Sequence, residues 1–383
     1  MPRIKPYCEN SCFFLNLYGI HKIIMMVRIS TLFMCLFYTS SFLAFGENID
    51  DNIREHAAEI NPETICTFPE SVLSTTAWML DDRYAMLLMD DRSGFSLTVY
   101  DTQTLTPVSR FLHYGNGPRE VLYPRVNIVN GNVLVNEFLK PKMYVIPCSE
   151  AMRENIDIQE RTFEFTSARA IPFEDGFVAL NPYWFENRKV RISNGEPKLF
   201  FSDGTQKPYD DSKPCSYNCI QGKLLYSSNA GRIAYIEDQY PLIEIYDASN
   251  LSLLHSISGP DKFMPDYKVF YNQIMFADIP PAVSYQSCCA DDEYIYLLYS
   301  GIHDNNTEIR KSNEGMATLV PNTDTKDLLL LVLDWDGNLI KAFRPAGLTS
   351  YSELSRGSAP GIIYATTLDS DMMHLSILRF CLF

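Results

Sequence analysis

The chain has 383 residues, 23 Tyr and 23 Phe among them, and a formal net charge of −15. Removing residues 1–46, which hold Arg3, Lys5, Lys22, Arg28 and Glu9, leaves 28 basic and 46 acidic side chains, a net −18. That balance argues against nucleic-acid binding, which needs a basic footprint, and against docking on an anionic membrane surface. Its plain meaning is solubility. The aromatic share, 13%, suits pleated sheet, on which aromatics pack well.

The first 46 residues read as an upstream extension plus a signal peptide. Met26-Val27-Arg28 supplies a basic start, Ile29 to Ala44 an apolar run, and Ala44-Phe45-Gly46 small residues at −3 and −1. The mature chain is therefore expected to begin at Glu47, exported to the periplasm or cell surface. The run is short for a membrane span, and polar sequence follows at once. Pro2 to Ile24 adds Cys8 and Cys12 but no pattern, so Met25 or Met26 is the expected true start. Lipidation at Cys35 is not expected, because Leu32-Phe33-Met34 lacks small residues and the apolar run continues beyond it. Residues 47–64 form a short N-terminal segment. Residues 65–383 form a single domain, with no Pro/Gly/Ser-rich linker to divide it.

One strand ending recurs six times. It reads Leu97-Thr98-Val99-Tyr100-Asp101, Met143-Tyr144-Val145-Ile146, Leu199-Phe200-Phe201-Ser202-Asp203, Ile243-Glu244-Ile245-Tyr246-Asp247, Leu330-Leu331-Val332-Leu333-Asp334 and Leu375-Ser376-Ile377-Leu378-Arg379. Between the closing residues lie 45, 57, 44, 87 and 45 positions, and a propeller blade takes roughly 40 to 50. The long interval contains two loops, Gly259 to Pro281 and His303 to Thr325, which read as insertions; a seventh blade hidden there is the competing count. The expected fold class is all-β, a six-bladed β-propeller of four-stranded antiparallel blades.

In the first unit, Tyr84 to Met89 is an apolar strand, Phe95 to Tyr100 the next, and Val108 to Leu112 closes it. The fifth repeats the plan with Tyr294 to Tyr299, Leu328 to Leu333 and Leu339 to Phe343. Continuous apolar runs of this length suit strands buried on both faces. Aspartate at each strand end reads as a turn former. Asp334-Trp335-Asp336-Gly337-Asn338 is a hairpin turn rather than a calcium loop, since position twelve is Pro345.

After the first unit comes His113-Tyr114-Gly115-Asn116-Gly117-Pro118-Arg119-Glu120. It resembles the Gly-x-Gly-Pro-x-Glu turn of the TolB-like six-bladed propeller family of Bacteroidetes. Asn181-Pro182-Tyr183 and Ile363-Tyr364-Ala365-Thr366 are similar to further segments of that family. The resemblance implies a secreted or envelope propeller of mostly unassigned function. Family members commonly carry a second glycine where this chain has Arg119, which implies a differently shaped turn here. From the residues themselves, Gly115 and Gly117 permit positive φ, Pro118 stiffens the turn, and Glu120 can accept from backbone amides.

Seven cysteines follow residue 46: Cys66, Cys148, Cys215, Cys219, Cys288, Cys289 and Cys381. Their odd number leaves at least one unpaired, and their spacing is not that of a zinc site. The histidines are isolated, and no nucleophile elbow or phosphate loop is present. The pairs Asp81-Asp82, Asp90-Asp91, Asp210-Asp211 and Asp291-Asp292 flank strands, and one of them could reach a central channel. No catalytic residue, metal ligand or cofactor is assigned. The expected function is a non-catalytic binding or scaffold module. Its partner is an envelope protein or glycan, its candidate contacts are His113, Arg119, Glu120, Tyr183 and Trp184, and it is expected to be monomeric and not membrane-spanning. The alternative is a metal-dependent hydrolase or lactonase, with a divalent cation held in the channel by scattered Glu, Asn and Asp.

Overall fold

A computed structural model describes residues 47–50, 52–69, 72, 74–91, 94–137, 140, 142–153, 156–162, 169–173, 176–180, 189–193, 196–199, 222–238, 241–261, 267–270, 273–276, 284–300, 307–311, 317–321, 328–349, 352–369 and 374–383. All lie in one unit, Gly46–Phe383. The export segment, Cys35, Cys215, Cys219, Asp210-Asp211 and Asn181 to Trp184 fall outside the described residues.

The protein is an all-β propeller of four-stranded antiparallel blades. Sheet I comprises Ser74–Met79, Tyr84–Asp91, Gly94–Asp101 and Thr106–Phe111. Sheet II comprises Pro124–Val129, Asn132–Glu137, Lys142–Pro147 and Gln159–Thr162. Sheet III runs Arg169–Phe173, Gly176–Leu180, Lys189–Ser193 and Glu196–Leu199. Sheet IV runs Gly222–Ser227, Arg232–Glu237, Leu242–Asp247 and Leu253–Ser258. Sheet V has Tyr285–Ala290, Tyr294–Tyr299, Leu329–Asp334 and Leu339–Pro345. Sheet VI has Glu353–Arg356, Ile362–Leu368 and Leu375–Cys381, and its outer strand is the N-terminal Glu63–Thr67. The last strand of the sequence thus pairs with an early one to complete this sheet.

The strands are apolar on both faces because each sheet is covered on both. One buried cluster joins sheets I and II through Leu97, Val99, Val133 and Tyr144. Another spans II, III and IV through Leu134, Val178 and Leu224. Ile245, Leu297 and Leu331 pack IV on V, while Leu330 and Phe380 pack V on VI. Leu87 and Tyr364 pack VI back on I. Each such side chain contributes about 1.5–3 kcal/mol by leaving water.

The described strand-end aspartates are turn formers; Asp203 lies outside the described residues. Asp101 Oδ1 accepts from the amides of Gln103 and Thr104, Asp247 Oδ1 from Ser249 and Asn250, and Asp334 Oδ1 from Asp336 and Asn338. Gly337, at φ +86°, supplies the left-handed step of the last turn.

Three expectations are corrected. The first unit closes with Thr106–Phe111, because Leu112 takes φ +49° and leaves the ladder. Both insertions read as loops contain hairpins, Tyr267–Phe270 with Gln273–Phe276 and Thr307–Lys311 with Ala317–Pro321. The N-terminal segment is built into the sheets: Glu47–Asn48 adds a parallel strand to sheet IV, and Ala58–Ile60 adds one to sheet V. Ile49, Ile53 and Ala57 bury in the cluster between those two sheets.

Candidate functional site

The first strand of every sheet lines one central channel. Its wall is formed by Trp78 of sheet I, Asn127 of II, Arg169 of III, Lys223 of IV, Cys288 of V and Glu353 of VI, with Arg356. The cavity between them is about 40 Å³, room for water rather than for a substrate. Lys223 Nζ contacts Asp238 Oδ1 at 2.6 Å and the Tyr285 carbonyl at 3.3 Å. Burial pulls the Lys223 ammonium down most strongly of any single cause, but Asp238, Cys288 and Glu353 together hold the group above its usual range. Glu353 Oε2 accepts from Ser287 Oγ at 2.7 Å, and that oxygen accepts in turn from the Leu354 amide. Burial pushes the Cys288 thiol up to about 12, so it stays protonated and inert. Three cations and one carboxylate on the wall make this a basic channel. Among the described residues no three His, Cys, Asp or Glu converge as metal ligands.

At one end the channel opens into a cavity of about 200 Å³. Its lining includes Asp81, Cys148, Asp291, Asp292, Arg356 and Ser358. Asp81 of one carboxylate pair singled out in the sequence, and both members of another, Asp291 and Asp292, therefore line this mouth, from equivalent turns. Asp81 Oδ1 accepts from the amides of Arg83 and Tyr84. Asp291 Oδ1 accepts in the same way from Glu293 and Tyr294. The shared Asp-Asp-x-Tyr signature, Asp81 to Tyr84 and Asp291 to Tyr294, was the missed signal.

The Leu112–Tyr123 connection lies at the opposite end. Ser74–Met79 runs toward the 200 Å³ cavity, which Met79 lines; three antiparallel strands later Thr106–Phe111 runs away from it. The connection is tightly shaped. His113 pairs with Glu120 and Tyr114 with Val121 in a two-residue parallel ladder. Glu120 Oε2 accepts from the Gly117 amide at 2.6 Å, so this carboxylate braces the turn. Gly115 takes φ +152°, and a Cβ there would lie 2.0 Å from Glu120 Oε2. Gly117 is not in positive φ; it serves by close approach, since its Cβ would meet the same carboxylate at 2.9 Å.

Arg119 sits at φ +57°, the left-handed region a glycine prefers. Beyond it, Glu137, fully buried, accepts from the amides of Leu122 at 2.6 Å and Tyr123 at 3.1 Å. The result is a stiff platform. It exposes His113, Arg119 and two tyrosines, Tyr114 at 47% and Tyr123 at 54%. His113, Arg119 and Glu120 all lie on this connection, Glu120 as its brace, and Tyr114 and Tyr123 lie on it too. Tyr183 and Trp184 lie outside the described residues.

No family model matches the chain, and no curated protein matches it. Several solved structures are similar in outline. A Bacteroides fragilis protein named as exported matches at 12% identity, covering 88% of this chain and 98% of its own, with TM-score 0.46. A member of the DUF4221 family from Bacteroides vulgatus matches at 12% identity, covering 85% and 98%, with TM-score 0.47. The β-propeller domain of Cps50 from Myceliophteria thermophila matches at 11% identity, covering 83% and 99%, with TM-score 0.39. At these values the likenesses carry no functional argument, and TolB-like membership stands as a resemblance in sequence. Among the described residues no helix is long and apolar enough to cross a membrane.

Proposed function

We propose that this protein is an exported, monomeric, non-catalytic binding propeller that contacts an envelope protein or glycan through the Leu112–Tyr123 face. The observation that carries this reading is the pair of exposed tyrosines on a braced connection. Large aromatics beside arginine are the side chains that dominate interface energetics. Leu112 at φ +49° and Arg119 at φ +57° add local strain, which clusters at functional sites.

A six-bladed count supports the same architecture. Six sheets of four or five strands each place a first strand on one channel. Contact of Arg169–Phe173 with both Asn132–Glu137 and Gly222–Ser227 supports counting sheet III as a blade. The divalent-cation hydrolase has less support, because Arg169, Lys223 and Arg356 on the channel wall would repel the ion.

The test is binding of the purified protein to a panel of envelope polysaccharides and to isolated envelope proteins, alongside Tyr114→Ala/Tyr123→Ala. Loss of about tenfold or more in affinity, worth about 1.4 kcal/mol, is expected for the double variant. Retained affinity would move the contact elsewhere. A stoichiometric divalent ion with ester or lactone turnover would favour the hydrolase.

A further inference from the structure

We propose that the 200 Å³ cavity at the channel mouth binds a small zwitterion of free amino-acid type, its carboxylate on Arg356 and its ammonium on Asp81 and Asp292. This site is on the face opposite Tyr114 and Tyr123, and it stands or falls apart from the reading above.

The first observation is Arg356 itself. It lines both the 40 Å³ channel cavity and the 200 Å³ mouth, so this residue sits where the two meet. Among the described residues it has neither an ion-pair nor a hydrogen-bond partner. The other channel cations differ: Lys223 is held by Asp238, and Arg169 also has partners. A half-buried guanidinium carries five donors in a planar fork matched to a carboxylate. No nitrogen of Arg356 is among the buried unpartnered atoms, so the fork is open to the mouth and can take a carboxylate from solution.

The second observation is the charge of the walls. Asp81, Asp291 and Asp292 line the same mouth as Arg356. Both oxygens of Asp291 are engaged, Oδ1 by the amides of Glu293 and Tyr294 and Oδ2 by Tyr296 Oη. Asp81 uses only Oδ1, and Asp292 is exposed. Three carboxylates against one guanidinium would repel a phosphate or dicarboxylate. They also disfavour a simple acid, whose only attraction is Arg356. A ligand carrying both a carboxylate and an ammonium matches both halves of the lining. The volume agrees: it falls below the roughly 300–1,000 Å³ of sites for drug-sized ligands and exceeds that of a lone ion.

L-lysine is the probe, because its second ammonium adds to the match. Isothermal titration of the purified protein should show 1:1 saturable L-lysine binding. Acetate and n-pentylamine, each carrying one half of the zwitterion, should bind at least about tenfold more weakly. Arg356→Gln should weaken L-lysine about tenfold or more and should not weaken n-pentylamine, whose ammonium loses a repelling neighbour. Asp292→Asn alters an exposed side chain with no structural bond among the described residues, so it keeps the fold intact as a second test. It should weaken both L-lysine and n-pentylamine about threefold. The proposal is overturned if L-lysine shows no saturation up to about 10 mM, the scale of the weakest specific binding. It is equally overturned if acetate or inorganic phosphate binds as tightly as L-lysine, or if Asp292→Asn leaves L-lysine affinity unchanged.

Discussion

Arg54 and Asp261, 207 residues apart, meet in a two-pronged ion pair with both N···O distances at 2.7 Å. Tyr299 Oη donates to the same carboxylate at 2.8 Å, and the guanidinium lies 5.7 Å from the Tyr299 ring centre. Arg54 belongs to the N-terminal strap that adds strands to sheets IV and V, so this pair fastens strap to sheet. Its side chains are 27% and 24% exposed, sheltered enough for the fork geometry to count. Arg54→Ala is expected to cost about 1–2 kcal/mol, read as a lower urea midpoint at unchanged slope. Arg54→Lys should recover less than half, because an ammonium cannot span both oxygens. A midpoint unmoved by either change would mean that strand pairing and the burial of Ile49, Ile53 and Ala57 hold the strap without this pair.

The left-handed backbone of Arg119 has a direct consequence. A non-glycine residue there carries roughly 1–2 kcal/mol of conformational cost, partly offset by the extra chain entropy a glycine loses on folding. Arg119→Gly is therefore expected to raise stability by about 0.5–1 kcal/mol. If Arg119 contacts a partner as proposed, the same change weakens binding. Opposite signs in a melting curve and a binding curve would mark a residue kept for its side chain. A fall in stability would show instead that the guanidinium holds the turn.

The repeat was legible because its signal is local. Apolar runs such as Leu329 to Leu333 and aspartates such as Asp247 announce strand and turn from neighbours in sequence. The parts that were not legible depend on distant pairing. Glu63–Thr67 closes sheet VI by lying beside Leu375–Cys381, and nothing in Glu63-Thr64-Ile65-Cys66-Thr67 names its partner. The strap strands Glu47–Asn48 and Ala58–Ile60 are too short and polar to read as strands alone. The glycine missing at Arg119 suggested a different turn, yet the backbone keeps a glycine-like φ. The channel was invisible for the same reason as the closure: Arg169, Lys223 and the pair Glu353 and Arg356 come from three separate sheets, and only the ring assembles them.

Burial also sorts the thiols. All five described cysteines are free; Cys148, Cys288 and Cys289 are buried and Cys381 is exposed. Burial pushes Cys148 up to about 11 and Cys288 up to about 12, and it raises Cys289 well above the ordinary thiol range. The reactive thiolate is therefore scarce at these three positions at any pH the fold tolerates. Among the five described cysteines, iodoacetamide at about pH 8, near the ordinary thiol pKa, should modify Cys381 first. Cys288 and Cys289 should react only in denaturant, as read by peptide mass spectrometry. Native labelling of Cys288 would mean that the channel opens.

Asp82 gives a pH test. Partial burial pushes its carboxyl up, but bonds from Ser358 Oγ and Tyr364 Oη, with the Ser358 amide and the Arg379 charge, pull it below the usual range. Tyr364 Oη donates at 2.9 Å and the Ser358 amide at 3.2 Å. The bonds tie a sheet I turn to sheet VI, across the junction where the first and last units of the ring meet. Because the folded pKa is depressed, the stabilisation is fully present above the unfolded value of about 4 and is lost as pH falls through the folded one. Asp82→Asn should therefore lower the urea midpoint at about pH 7, and the gap to the unmodified protein should narrow below about pH 4. The comparison removes the contributions of Asp101 and Asp247, whose carboxyls are also held low, since both proteins share them. A gap that stays constant down to about pH 3 would mean that Asp82 acts through hydrogen-bond geometry alone, with its charge contributing nothing to the closure.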